Sequence, residues 1–120
     1  MAAVGALHLC SEMAYARAMR CGGNAFWGTL LAVGKTQPAA ALRALHAAGQ
    51  KRFGENYVQE ALAKQAELAD LRIEWHLIGP LQSNKAAAAA RHFDWVHSVD
   101  RVKLVTLLAK SRAPGRGPLN

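Results

Sequence analysis

Lys35 follows an apolar run, Leu30-Leu31-Ala32-Val33-Gly34, and precedes Thr36-Gln37-Pro38. An amine desolvated at the end of a buried strand is a nucleophile suited to Schiff-base chemistry with an aldehyde. A lysine so placed also serves simply by snorkelling its ammonium to water, and position alone leaves both readings open. A second polar strand end, Phe53-Gly54-Glu55-Asn56-Tyr57, offers Asn56, whose side-chain amide both donates and accepts hydrogen bonds. The plainer role for Asn56 is to cap the following helix, with Tyr57 as packing. A third, Trp75-His76-Leu77-Ile78-Gly79-Pro80, offers His76, which alternates with its neighbours and so faces one side of its strand. A lone histidine there is more often a hydrogen-bonded core residue than an acid–base group. His92 and His97 do not pair with His76 at metal-ligand spacing, so no metal site is expected. No catalytic residue is assigned.

Gly34-Lys35-Thr36 also matches the end of a phosphate-binding loop, G-x-x-x-x-G-K-[ST]. The match fails upstream. Position 29 is Thr, Gly28 lies one residue too far away, and the intervening residues read as a strand rather than a glycine-rich loop. Pro38 further delays the helix that such a loop must open.

These residues need elements to position them. Short apolar runs predict strands at 29–33, 51–54, 73–79 and 94–98, the first of them buried on both faces. Helical spacing predicts helices at 39–48, 56–70, 82–91 and 101–111. Pro38 suits the first turn of one helix and Gly49 its end. Glu60 and Lys64 form a supporting i,i+4 pair, and Asp100 is expected to cap the last helix. Val58, Ala61, Leu62 and Leu68 are core contacts of the second helix, and Val102, Val105, Leu107 and Leu108 of the fourth. Alternation of strand and helix argues for a parallel sheet with right-handed crossovers. In such arrays the C-terminal strand ends converge on one face, where chemistry sits. Leu119-Asn120 reads as the opening of a further strand. Residues 1–28 form an atypical N-terminal segment that admits a short helix over 11–20; residues 29–120 form the patterned domain.

The chain has 120 residues, 52% of them hydrophobic, enough for a single core. Its net charge of +7 comes from basic residues spread along the chain rather than gathered in a stripe, so no nucleic-acid partner is expected. Cys10 and Cys21 fit neither a redox pair nor a zinc pair, and the cytoplasm is the default compartment. No apolar run approaches the ~20 residues that span a bilayer, and the N-terminus lacks a charged signal-peptide opening.

Three stretches together, 32–38, 53–60 and 75–85, closely resemble the pyridoxal-phosphate homeostasis protein family in residues, order and spacing. The resemblance extends over about residues 29–120, including 93–100. It implies a (β/α) TIM-type barrel of the fold-type III kind, like the barrel domain of alanine racemase standing alone, here reduced to about four βα units. It implies binding of pyridoxal 5′-phosphate through a Schiff base to Lys35, with Asn56 and His76 as cofactor-binding residues and Gly79, Asn84 and Lys85 nearby. The family is associated with holding and delivering the cofactor rather than with a firm reaction. A racemase-like enzyme and a non-functional fragment are the alternatives.

Three departures accompany the resemblance. The family usually has Ser where Gly34 stands, residues 1–28 lack the amphipathic opening helix, and the chain stops where the next strand is expected. A half-barrel would expose the inner face of its sheet, with Leu31, Val33, Ile78 and Val96 expected there, and leave open edges that favour self-association.

Overall fold

The structure is a computed structural model and describes residues 5–8 and 30–120. Five parallel strands form one sheet in sequential order: β1 (Gly5–His8), β2 (Leu30–Val33), β3 (Arg52–Glu55), β4 (Glu74–Leu77) and β5 (Trp95–Val96). Between and after them, among the described residues, stand four α-helices: α1 (Ala39–Ala47), α2 (Val58–Glu67), α3 (Ala86–His92) and α4 (Val102–Ser111). A 3-10 turn, Ser83–Lys85, leads into α3. The expected parallel α/β alternation is present. The sequence reading assigned no strand near the N-terminus, yet β1 pairs with β2 from Gly5 opposite Leu30 to His8 opposite Val33. Lys35 therefore follows the second strand of the sheet, not the first. Gly and Ala carry little strand preference of their own, and pairing with β2 supplies what the local sequence lacks. The helix expected over 11–20, and both cysteines, lie outside the described residues.

Local chemistry explains most boundaries. Helix α1 buries Leu42 and Leu45 and ends in a Schellman motif. Gly49, at φ 110°, donates to His46 O, and Gln50 donates to Leu45 O. Helix α2 starts two residues later than expected. Tyr57, in extended conformation, occupies its N-cap, so Asn56 is not the cap. Likewise Arg101, not Asp100, stands at the N-cap of α4, and the Asp100 carboxylate meets the Arg101 side chain instead. Helix α4 turns Leu104 and Leu108 inward and leaves Val102 and Val105 exposed, against expectation. The 3.6-residue period allows one apolar stripe to face the core, and 104/108 takes it.

The sheet has two different faces. Register sets Ala32, Phe53 and Trp75 side by side, and then Glu55, Leu77 and Val96. The apolar members of this face pack with Leu42, Leu45, Phe93 and Leu104 into the main core. Val96 thus lies under the helices and not on the opposite face, as expected from sequence. That opposite face carries Leu31, Val33, Gly54, Ile78 and His76, since side chains alternate along a strand. Leu31 and Val33 are buried rather than exposed. Leu31 and Ile78 close over Gly54, where a Cβ would lie 3.3 and 3.2 Å from their methyls.

Beyond α4 the chain returns to the sheet. Asn120 N donates to Asp94 O and Val96 N donates to Asn120 O, so the terminal residue lies against the outer side of β5. Arg112 secures this return by donating to the carbonyls of Ala90, Phe93, Gly117 and Pro118. Among the described residues no helix is long and apolar enough to cross a membrane.

Candidate functional site

The C-terminal ends of neighbouring strands form a rim. Lys35 follows β2, Asn56 follows β3, and Gly79 lies beyond β4. Register brings them together: Val33 pairs with Gly54, which pairs with His76, so Lys35, Asn56 and Ile78 lie two residues further along, with Gly79 directly after Ile78.

Gly34, Lys35, Thr36 and Gln37 make a tight turn closed by Gln37 N donating to Gly34 O at 3.0 Å. Thr36 has φ 63°, the only non-glycine residue with positive φ among the described residues. A β-branched residue there is strained, at a cost of about 1–3 kcal/mol. The strain is held from α2, where Glu60 Oε1 accepts from Thr36 N at 2.9 Å. The same Glu60 oxygen lies 2.9 Å from the Lys64 ammonium. Lys64 is buried and donates also to Glu55 Oε1 at 3.0 Å and to the carbonyl oxygen of Gly34. Three acceptors thus satisfy the three ammonium protons.

Glu55 is fully buried on the helix side of β3, and its Oε2 has no hydrogen-bond partner among the described residues. Burial pushes its carboxyl up despite the Lys64 hydrogen bond, whereas the separate hydrogen bond from Lys64 to Glu60 chiefly holds Glu60 below its usual range. Gly34 makes room for the pair: a Cβ there would stand 2.5 Å from Glu55 Oε1. The Lys35 side chain is half-buried and has no hydrogen-bond or ion-pair partner among the described residues. The same holds for the Asn56 side chain. Gly79 brings the β4 rim against Asn56, since a Cβ on it would lie 2.1 Å from the Asn56 carbonyl oxygen. Ser98 Oγ, beyond β5, donates to Gly79 O at 2.7 Å and ties the next strand end to this one.

His76 stands apart from Lys35 and Asn56 in kind. It sits within β4, paired with Trp95, and both its ring nitrogens are engaged. Nε2 lies 2.8 Å from Glu74 Oε1 and Nδ1 lies 2.9 Å from His97 Nε2. The Trp95 ring stacks on it at 5.5 Å with planes 4° apart. Arg52 completes the chain through Glu74 at 3.3 Å. Burial lowers the His76 pKa, which Glu74 only partly offsets. Among the described residues no three groups are arranged to hold a metal ion.

Sequence reasoning noticed Glu60 and Lys64 only as a helix-supporting pair and passed over Glu55. The signal was a lysine on the inward stripe of α2, with Val58 and Ala61, where a lysine stays only if paired. A cleft of about 590 Å³ lies at the opposite ends of the strands, beside Lys51, Ile73, Asp94 and Arg116. Arg116 there is occupied with Asp94 at 3.3 Å.

A parallel βα array with a lysine on its C-terminal rim, partner-free among the described residues, defines an α/β protein, and in such folds the strand ends of that rim are where chemistry sits. By sequence this chain is homologous to the pyridoxal phosphate homeostasis protein family over most of its length, as its motifs implied. It is 64% identical over 91 residues to the pyridoxal phosphate homeostasis protein of Pseudomonas aeruginosa, covering 76% of this chain and 40% of that protein. With the Escherichia coli K12 protein of that name it shares 49% identity over 108 residues, 88% of this chain and 46% of that one. Among solved structures it resembles PipY of Synechococcus elongatus PCC7942 with PLP bound, at TM-score 0.75 and 51% identity, over 83% of this chain and 48% of that one. PipY without PLP matches at TM-score 0.67 and 60% identity, over 69% of this chain and 39% of that one. The chain thus spans less than half the length of these relatives. No family model matches it.

Proposed function

We propose that this chain binds pyridoxal 5′-phosphate through a Schiff base to Lys35 and serves in holding and supplying that cofactor. The observation that carries the reading is the Lys35 amine: half-buried, on a strained turn at a strand end, and without a partner among the described residues. The donor set fits the cofactor. When bound, pyridoxal phosphate supplies an aldehyde with which a lysine amine condenses, releasing water. Asn56, with an amide unengaged among the described residues on the next strand end, would hold and orient the ring system. His76, whose nitrogens face Glu74 and His97, would act beneath the rim as support for it. Similarity to PipY, solved with PLP bound, supports the same assignment.

The array itself is read as part of a TIM-type barrel. The sequential order from β1 to β5 and the PipY match support this. The reading also places the protein in the cytoplasm, without a nucleic-acid partner. Self-association through the edges of the sheet stays within the proposal.

The test is borohydride reduction of the protein with added pyridoxal phosphate, followed by peptide mass mapping. The label is expected on Lys35 and absent in Lys35→Ala. A label confined to Lys103 or Lys110, and unchanged in Lys35→Ala, would overturn the reading.

A further inference from the structure

We propose that Glu60 and Lys64, backed by Glu55, are positioning residues that aim Lys35. The inference rests on Lys35 being the reactive amine. Two peptide groups flank Lys35, and each is held by this set. On one side the Gly34 carbonyl accepts from the Lys64 ammonium. On the other, the Thr36 N–H donates to Glu60 Oε1. Lys64 joins the two holds by its 2.9 Å contact with Glu60, and Glu55 anchors Lys64 from β3 at 3.0 Å. The lysine's backbone is thus clamped before and after its Cα by charged groups of α2.

A helical i,i+4 pair for solubility would not look like this. Lys64 is buried, and both its carboxylate partners also face the turn. Thr36 supplies the reason for a clamp. Its φ of 63° is unfavourable for a β-branched residue, so the turn needs outside hydrogen bonds to keep one conformation. A turn free to relax would swing the Lys35 side chain away from the rim. The charged groups that do the holding lie beneath the turn, with α2, and leave the Lys35 amine itself unengaged. Position is thereby specified without occupying the nucleophile. A misplacement of about 1 Å is enough to impair a reaction that depends on a fixed approach.

The experiment compares Glu60→Ala, Glu60→Gln and Lys64→Met with the unaltered chain, and Lys35→Ala as control. One readout needs no cofactor: the amide exchange rate and resonance of Thr36. The other is the share of borohydride-fixed pyridoxal phosphate found on Lys35 relative to Lys103. Glu60→Ala should speed Thr36 exchange and lower the Lys35 share, each by about tenfold, the scale of one lost charge-assisted hydrogen bond. Glu60→Gln, which keeps an acceptor oxygen, should restore most of both. A merely structural role would lower stability but leave the Lys35 share intact among the folded molecules. Should Lys64→Met fail to fold, the half-buried Glu60 variants still decide. Labelling of Lys35 in the unaltered chain with an equal share in Glu60→Ala overturns the clamp alone. Absence of label from Lys35 in the unaltered chain overturns the function, and the clamp with it.

Discussion

Nδ1 of His76 lies 2.9 Å from Nε2 of His97, while Nε2 of His76 faces Glu74 Oε1 at 2.8 Å. A carboxylate can only accept, so neutral His76 carries its proton on Nε2 and offers Nδ1 as acceptor. His97 must then donate from Nε2. Protonating His76 would put two donors face to face unless His97 changes tautomer. Nearby Arg52 adds to the cost, and Glu74 alone opposes it.

Acid should therefore destabilise the fold through His76. Its folded pKa is lowered, chiefly by burial, from about 6.5. Between that folded value and pH ~6.5 the unfolded chain binds more protons, so stability rises with pH there. It is fully present above pH ~6.5 and declines as pH falls, by at most about 1.4 kcal/mol per pH unit for one proton. Urea unfolding at pH 5.5 and 7.5 should show this difference shrinking in His76→Gln. An identical pH dependence in both proteins would refute the assignment.

Gly79→Ala should be among the most damaging rim substitutions. The new Cβ would stand 2.1 Å from the Asn56 carbonyl oxygen, and backbone atoms cannot step aside as a side-chain tip can. Overpacking of this kind costs about 3 kcal/mol or more. Equilibrium denaturation measures it, and a loss below ~1 kcal/mol would mean that the strand ends are further apart.

Gly34 should tolerate Ser better than Ala. Either Cβ displaces Glu55 Oε1, 2.5 Å away, and presses on Leu42 at 3.2 Å. The serine hydroxyl can donate to the Glu55 carboxylate, one oxygen of which is unpartnered among the described residues. Ala should cost about 1–3 kcal/mol, and Ser about 1 kcal/mol less. Thermal unfolding of both variants in the Glu55→Ala background should remove the gap between them. A gap that persists there would rule out Glu55 as its cause.

Lys64→Met should lose about 3–5 kcal/mol at neutral pH, because it strands a buried carboxylate. The loss should be smaller at pH 5 than at pH 7.5. Burial already raises the Glu55 pKa, and a protonated Glu55 needs no cation. Adding Glu55→Met should recover part of the stability. Chemical denaturation at both pH values checks the sign, and a loss larger at pH 5 would contradict it.

Much of this protein is legible in its sequence. Apolar runs broken by Gly, Pro and polar residues set out the βα alternation, because a parallel strand buried on both faces reads as an uninterrupted apolar run. Three stretches around Lys35, Asn56 and His76 were enough to point to the homologous family. The sequence also ended α1 correctly at Gly49, where the left-handed conformation of a helix stop favours glycine.

Tertiary structure decided the rest. Val96 and its neighbour Trp95 differ by one position, and strand side chains alternate, so an uncertainty of one residue in register exchanges core and opposite face. β1 exists through its pairing with β2, which no local preference announces. Which acceptors Lys64 meets was invisible for a similar reason. Its acceptors come from three elements, and Gly34 lies 30 residues away along the chain. From sequence a lysine four residues after a glutamate is a surface pair. Only folding brings a strand carboxylate and a turn carbonyl onto the same ammonium, and burial then makes those bonds strong enough to hold a strained turn in place.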